Sequence, residues 1–285
     1  MVEAKQRKIV DGINIFLIIL LSLTFIIPVI LILSASFTSA EAFTKYGYTF
    51  FPKQWSLVAY KYIFTSHLNI LRALLNSVFV TVTGTVLMVV NCSLFAYAIT
   101  RKQFLWKKFF SFFAIFTMLF GGGTIPYYLV VTGLGLDDSL FAIILPGAVS
   151  AWNIILMKNF FLGIPDSLCE AASIDGAGNL YILVKIVAPL SFPVIASVIL
   201  FTAVGFWNNW FGPLLFIKTQ EKQPAQAILR AMQDQSGILK DPSGKLPTEA
   251  IKNAAIIVTT LPIVIVYPFL QKYFINGVIV GAVKG

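Results

Sequence analysis

Six apolar blocks, free of charge except close to their ends, limit what this chain can fold into. They occupy 13–37, 73–100, 109–136, 139–162, 190–217 and 253–273. An α-helix needs about 20 mostly apolar residues to cross a hydrocarbon core, and each block supplies that length. Charged residues make up 12% of the 285, against about 25% in soluble domains, and the mean hydropathy is +0.86. The expected fold is therefore all-α: a polytopic membrane protein with six transmembrane helices forming a single transmembrane domain over 1–285. The first block could be mistaken for a signal peptide, because Ser34-Ala35-Ser36 has the look of a cleavage site. Signal-peptide cores run about 7–15 residues, so a retained first span is expected instead.

The net charge of +9 then bears on orientation and on anionic lipid, not on nucleic acid. Lys and Arg in short flanks mark the cytoplasmic side. The second loop carries Arg101, Lys102, Lys107 and Lys108, and the N-terminus carries Lys5, Arg7 and Lys8. The third loop carries Asp137 and Asp138 and no base. Both termini, the second loop and the loop 164–193 are accordingly expected in the cytoplasm of a multi-pass cell-membrane protein. Lys107 and Lys284 should lie inside and Lys240 outside. Lys45, Lys53, Lys61 and Arg72 run against the count, but they sit in a longer segment, where the rule is weak. That first outer segment, 38–72, is rich in aromatics, among them Phe43, Tyr46, Tyr48, Phe50, Phe51, Trp55, Tyr60 and Tyr62. Headgroup-level placement is the plainer reading of these, sugar stacking the more specific one.

The segment 164–193 is the longest polar interruption between two blocks on the basic side, and it carries Glu170, Asp175 and Lys185. Ser167 and Glu170 fit a capping box. Asp175-Gly176-Ala177-Gly178 reads as a helix stop, because glycine accepts the left-handed conformation of a C-terminal turn. A second short helix, 179–187, is expected to end against Pro189, which lacks an N–H. The result is a helix–turn–helix elbow where the chain re-enters the bilayer. Glu170, Ala171, Ala172, Asp175, Gly176, Ala177, Ile186, Pro189, Leu190 and Pro193 fall in register with the EAA loop of ABC importer permeases. Leu183 replaces a usual aromatic and Ala188 a larger aliphatic. With the Gly-Gly-x-Ile-Pro and Trp-Asn-x-Trp segments and the chain ending, the resemblance is to the carbohydrate-uptake, maltose G-subunit type, in its LplC-like branch.

This resemblance implies a type I ABC importer permease fold. Residues 164–193 would be the coupling loop, with Glu170, Ala171, Ala172, Asp175, Gly176, Ala177 and Pro189 docking on a cytoplasmic ATPase. It further implies a heterodimer with a second, homologous permease subunit, two ATPase subunits and an extracellular solute-binding protein. The cargo would be an oligosaccharide, with a non-sugar solute such as an amino acid or peptide as the alternative, and ATP and Mg would sit on the partners, with no cofactor on this chain. The residues alone also permit a plain amphipathic loop in which Glu170 only caps its helix.

Two further clusters bear on a path through the membrane. Gly121-Gly122-Gly123 and Pro126 interrupt the third block. Open backbone at membrane depth is tolerated only against protein or a watery cavity. Tyr127 beside this break is a candidate for the path; the alternative is that the span ends near Gly121 and Gly133 closes a second short helix. Trp152-Asn153 and Trp207-Asn208-Asn209-Trp210 set amides beside indoles, the pairing that hydroxyl-rich sugars need. Trp152, Asn153, Trp207, Asn208 and Trp210 are thus path candidates, with helix–helix contact as the alternative for each.

Cys92, Cys169 and His67 suggest no disulfide framework, metal site or catalyst. A membrane-embedded glycan enzyme would need paired acids or a metal, and Asp137-Asp138 is the sole acidic pair. A channel or secondary carrier would need charges inside its spans. The chain is therefore expected to be no enzyme but a translocation subunit without its own ATPase site.

Overall fold

The computed structural model describes residues 2–65, 70–234 and 248–282. His67, Lys240, Lys284 and residues 241–244, where Asp-Pro-Ser-Gly reads as a turn, lie outside them. The described residues form helices α1 (Val2–Ser36), α2 (Ala40–Tyr46), α3 (Val58–Thr65), α4 (Ile70–Thr100), α5 (Lys107–Leu119), α6 (Thr124–Gly133), α7 (Phe141–Ile144), α8 (Ala151–Leu162), α9 (Asp166–Ile174), α10 (Asn179–Ile182), α11 (Ala188–Leu190), α12 (Phe192–Trp207), α13 (Phe211–Phe216), α14 (Ala225–Gln233) and α15 (Thr248–Ala282). Four apolar helical runs are long enough to cross a membrane: Val10–Ser36, Ile70–Thr100, Phe141–Leu162 and Glu249–Val266. Two bent pairs bring the number to six. Lys107–Leu119 meets Thr124–Gly133 at 117°, and Asn179–Leu190 meets Phe192–Trp207 at 86°.

Both bends have local causes. The first falls on the glycine run, where Gly123 takes φ +82, a conformation that costs an L side chain energy. Gly133 closes the short helix after the break, as the second sequence alternative has it. The other bend departs from the sequence expectation. The chain does not stop at Pro189; it stays helical to Leu190 and turns at Ser191, with φ −99 and ψ 13. A widened π-type turn, Leu183–Val187, precedes the proline, and the Ala188 N–H donates to the Leu183 carbonyl five residues back. A wide turn is one way a helix relieves the clash between a proline ring and the carbonyl four residues before it. The fifth candidate block, 190–217, divides similarly, since α12 ends at Trp207 and the separate α13 follows.

The chain packs as two compact units. One comprises the N-terminal part to Ile70 with Leu229–Leu261. Here the apolar stretch of α1 is exposed from residue 10 to residue 30. The Ser36 hydroxyl meets the Tyr60 hydroxyl at 2.8 Å, and the Asn253 amide donates to the Tyr48 hydroxyl at 3.4 Å.

The other unit comprises Leu71–Ile228 and the segment from Pro262. Its main core joins Cys92, Ala96 and Tyr97 of α4 to Met157 and Phe161 of α8, Cys169 of α9, Val187 and Val198. Cys92 and Cys169 share this core yet remain free thiols. A second, smaller core surrounds Phe206, whose ring lies against two glycines. A Cβ at Gly84 would come within 2.5 Å of that ring, and one at Gly147 within 2.7 Å.

Ion pairs tie the loops of this unit together in two groups. Lys102 of the second loop bonds Asp166 of the loop 164–193 at 2.7 Å. Lys218 pairs with Asp137, and Lys222 with Asp138 at 2.8 Å. Arg72 bonds Glu221 at 2.7 Å. The second loop and the loop 164–193 therefore share one end of the unit, and the third and fifth loops share another, as six alternating spans require.

Candidate coupling loop and translocation path

The loop 164–193 is anchored at its base and bare at its tip. Cys169, Ile182, Leu183 and Val187 are buried in the main core. Leu168, Ile174, Leu180 and Tyr181 point outward, and Ile174 is 86% exposed. Scattered exposed apolar residues are ordinary, but a group around one helix end marks a contact surface. The helix stop is a complete Schellman motif. The Ala177 N–H donates to the Ala172 carbonyl at 2.9 Å, and the Gly176 N–H to the Ser173 carbonyl at 3.1 Å. Gly176 has φ +85, the left-handed residue that this motif requires.

The expected capping box is absent. α9 begins after Pro165, with no side chain capping its first N–H groups. Glu170 instead lies 3.6 Å from Lys102, beside the shorter Lys102–Asp166 contact. The competing partner is a cation 64 residues or more away in sequence, which local pattern cannot see. The hydrogen bond from Lys102, reinforced by its charge, holds the Asp166 carboxyl below its ordinary value. Asp166 also lies in the first turn of α9, where the helix dipole favours a negative charge.

Ala171 and Asp175 are exposed, Ala172 and Ala177 pack partly against the core, and Pro189 is exposed beside the bend.

The path candidates do not form one face. Asn153 is 8% exposed; its amide donates toward the Met88 sulfur at 2.9 Å and the Thr202 hydroxyl at 3.5 Å. Those contacts join α8 to α4 and α12. Its neighbour Trp152 is 64% exposed and so faces elsewhere. Trp207 is buried and borders an apolar cavity of about 410 Å³, with Thr81, Thr85 and Pro262 among the other lining residues. Asn208 is exposed at the end of α12, and Trp210 packs edge-on against Phe211. Tyr127 packs edge-on against Phe216 at 5.4 Å, and Tyr128 stacks on the same ring. Lys158, near the end of α8, donates to the Ser111 hydroxyl at 3.1 Å.

One residue that sequence reasoning treated only as half of an acidic pair organises the opposite end of this unit. Asp138 takes φ +53, which is uncommon for a residue other than glycine. Its carboxylate accepts the Lys218 and Thr219 N–H groups, both at 2.9 Å, the Thr219 hydroxyl at 2.6 Å and the Lys222 ammonium at 2.8 Å. The Lys222 bond foremost, then those of Thr219, hold this carboxyl far below the usual carboxylate range. Its own N–H donates to the Phe216 carbonyl at 2.9 Å. No local pattern pointed to this knot, because its partners lie about 80 residues on.

No family model matches the chain. Among curated proteins, it is 40% identical over 286 residues to the polygalacturonan/rhamnogalacturonan transport system permease protein YtcP of Bacillus subtilis, with 98% of this chain and all of that one covered. The chain belongs to the carbohydrate-type permease family of ABC transport systems. Protein LplC of Bacillus subtilis is 38% identical to this permease, covering 99% of it and 97% of LplC. Among solved structures, a chain of a bacterial ABC transporter involved in the import of the acidic polysaccharide alginate superimposes with TM-score 0.84. It is 33% identical, and 94% and 97% of the two chains are covered. The permease is thus all-α, with roughly six membrane-crossing helices, as its pattern implied.

Proposed function

We propose that this permease is one half of an oligosaccharide pore, driven by ATP hydrolysis on partner subunits that dock on the loop 164–193. The observation that carries the reading is the tip of that loop: a helix ended by a Schellman turn at Gly176, exposing Leu168, Ile174, Leu180 and Tyr181 from a buried base. A rigid apolar knob of this kind fits a cleft on a protein partner. The basic second loop shares its end of the unit through Lys102, which supports placing both on the cytoplasmic side; the basic N-terminus would join them there by the same charge rule. ATP and Mg belong to the partners, as do the hydrolytic groups. Among the described residues, no group of three or more His, Cys, Asp or Glu side chains could hold a metal ion.

The remaining parts of the machine are a second permease subunit as heterodimeric partner and an extracellular solute-binding protein. Glu170, Ala171, Ala172, Asp175, Gly176, Ala177 and Pro189 form or flank the docking knob. Tyr127, Trp207, Asn208 and Trp210 remain candidates for the path, while the contacts of Asn153 favour helix joining. Uronic-acid oligosaccharides are the first cargo to assay, because YtcP and the alginate importer are both named for acidic polymers. The test is uptake into vesicles holding the full complex, with binding protein outside and ATP inside. ATP-dependent accumulation of a labelled oligosaccharide is expected. Replacing Ile174 by Asp should release the ATPase subunits during purification and abolish uptake. If I174D keeps its ATPase partners and its uptake, the knob is not the docking site.

A further inference from the structure

The segment after α1 takes no part in coupling or passage as described above, and its backbone fixes its depth. Thr38 and Trp55 form an antiparallel bridge. The Ser56 N–H donates to the Phe37 carbonyl at 2.8 Å, and the Ser39 N–H to the Gln54 carbonyl at 3.0 Å. The Ser39 hydroxyl adds a 2.7 Å bond to the Gln54 side chain. Bridged strands lie about 5 Å apart, so residues 54–57 are level with residues 36–39. Those residues end the 27-residue apolar run Val10–Ser36. At 1.5 Å per residue that run is about 40 Å long, against a hydrocarbon core of about 30 Å. The bridge therefore sits at headgroup height.

The side chains carried at that height are poorly suited to water. Phe51 is 80% exposed, Trp55 72% and Leu57 66%, with Phe50 and Val58 more than half exposed. Trp55 is held against the helix end by Phe37, whose ring centre lies 5.8 Å away. Lys45, Lys53 and Lys61 are exposed and are interspersed with this group in the sequence, with Glu41 as the acid of the described part of the segment.

We propose that residues 47–58 form a membrane-interface anchor, with Phe50, Phe51, Trp55 and Leu57 entering the headgroup–acyl boundary and the three lysines meeting anionic headgroups. The occupant is lipid because the bridge continues directly from a lipid-length helix and sets the loop at interfacial depth. The composition agrees: aromatic and aliphatic side chains interspersed with lysine suit the interface, and juxtamembrane lysines attract anionic lipid. The anchor sets the height of α1, whose apolar run carries no charge near this end. The proposal is independent of cargo and of the coupling loop.

The test uses the permease assembled with its partner subunits, without binding protein, in lipid nanodiscs. Nitroxide labels are placed at F51C and L57C, and at Q220C as a water-exposed reference; Cys92 and Cys169 are buried and stay unlabelled. Collision with dissolved oxygen, relative to a neutral nickel chelate, should be several-fold higher at 51 and 57 than at 220. Exchanging phosphatidylcholine for phosphatidylglycerol should raise that ratio further, and replacing all three lysines by glutamine should remove the lipid dependence. A ratio equal to that at 220 puts the loop in water and overturns the anchor. Collision rates suppressed for both reagents show protein cover and overturn it equally. A ratio indifferent to phosphatidylglycerol overturns the role of the lysines.

Discussion

Gly176 offers a test of the coupling loop in which the perturbation can be separated from packing. A Cβ added there meets nothing within 4 Å, yet φ is +85. Any effect of a small side chain must therefore come from the backbone. The left-handed conformation costs an L residue roughly 1–2 kcal/mol, equivalent to about a 5–30-fold change in the balance between turn and alternatives. Asparagine tolerates this region better than other residues, and a β-branched residue tolerates it worst. The expected order of function is Gly, then Asn, Ala and Val, with Gly176→Val uncoupled. Gly178 provides the control: it has φ −73 and ψ 159 at the N-cap of α10, and serine suits that position. Gly178→Ser should therefore behave as the wild type. The assay is ATP hydrolysis by the purified full complex, measured with and without substrate-loaded binding protein, alongside ATPase subunits retained per permease. Unchanged stimulation in Gly176→Val would refute the argument that this turn holds the docking knob in place. Equal losses at 176 and 178 would refute the argument from φ.

Asp138→Asn should free the start of the fifth loop, seen as faster amide hydrogen exchange across residues 217–223 with basal ATP hydrolysis unchanged. Because the folded carboxyl titrates below its unfolded value, its contribution is complete above about pH 4 and falls away only as pH drops through the folded value; after correction for intrinsic rates, wild-type protection should be flat from neutral pH down to that point. Gly84→Val should cost about 1–3 kcal/mol through overpacking against the Phe206 ring, lowering the thermal midpoint of the complex and its assembled yield. Asn208→Ala and Trp210→Ala should reduce uptake per assembled complex while leaving basal hydrolysis intact, whereas Asn153→Ala should instead lower assembly, since its amide joins three helices. A thiol placed at Lys107 should be shielded from an impermeant reagent in intact cells; labelling there from outside would reverse the proposed orientation.

The sequence alone determined the membrane class, the roughly six crossings and the helix stop in the loop 164–193. Those properties depend on unbroken apolar length and on short-range turn chemistry, and both are linear in the chain. The Asp175-Gly176 stop is an instance: its hydrogen bonds close within five residues, so the motif can be read directly. Tertiary structure decided the rest. Glu170 reads as a capping residue only while Lys102 is out of view; folding brings that cation to the base of α9, and ion pairing replaces the cap. Asn153 reads as a cavity amide until Met88 and Thr202, on two other helices, take its donors. Asp138 acquires its meaning from Lys218, Thr219 and Lys222, groups that approach it only when the third and fifth loops meet. A polar side chain inside or beside a bilayer must find a partner, because hydrocarbon offers none. The sequence displays that demand, but the partner is chosen by which helices pack together.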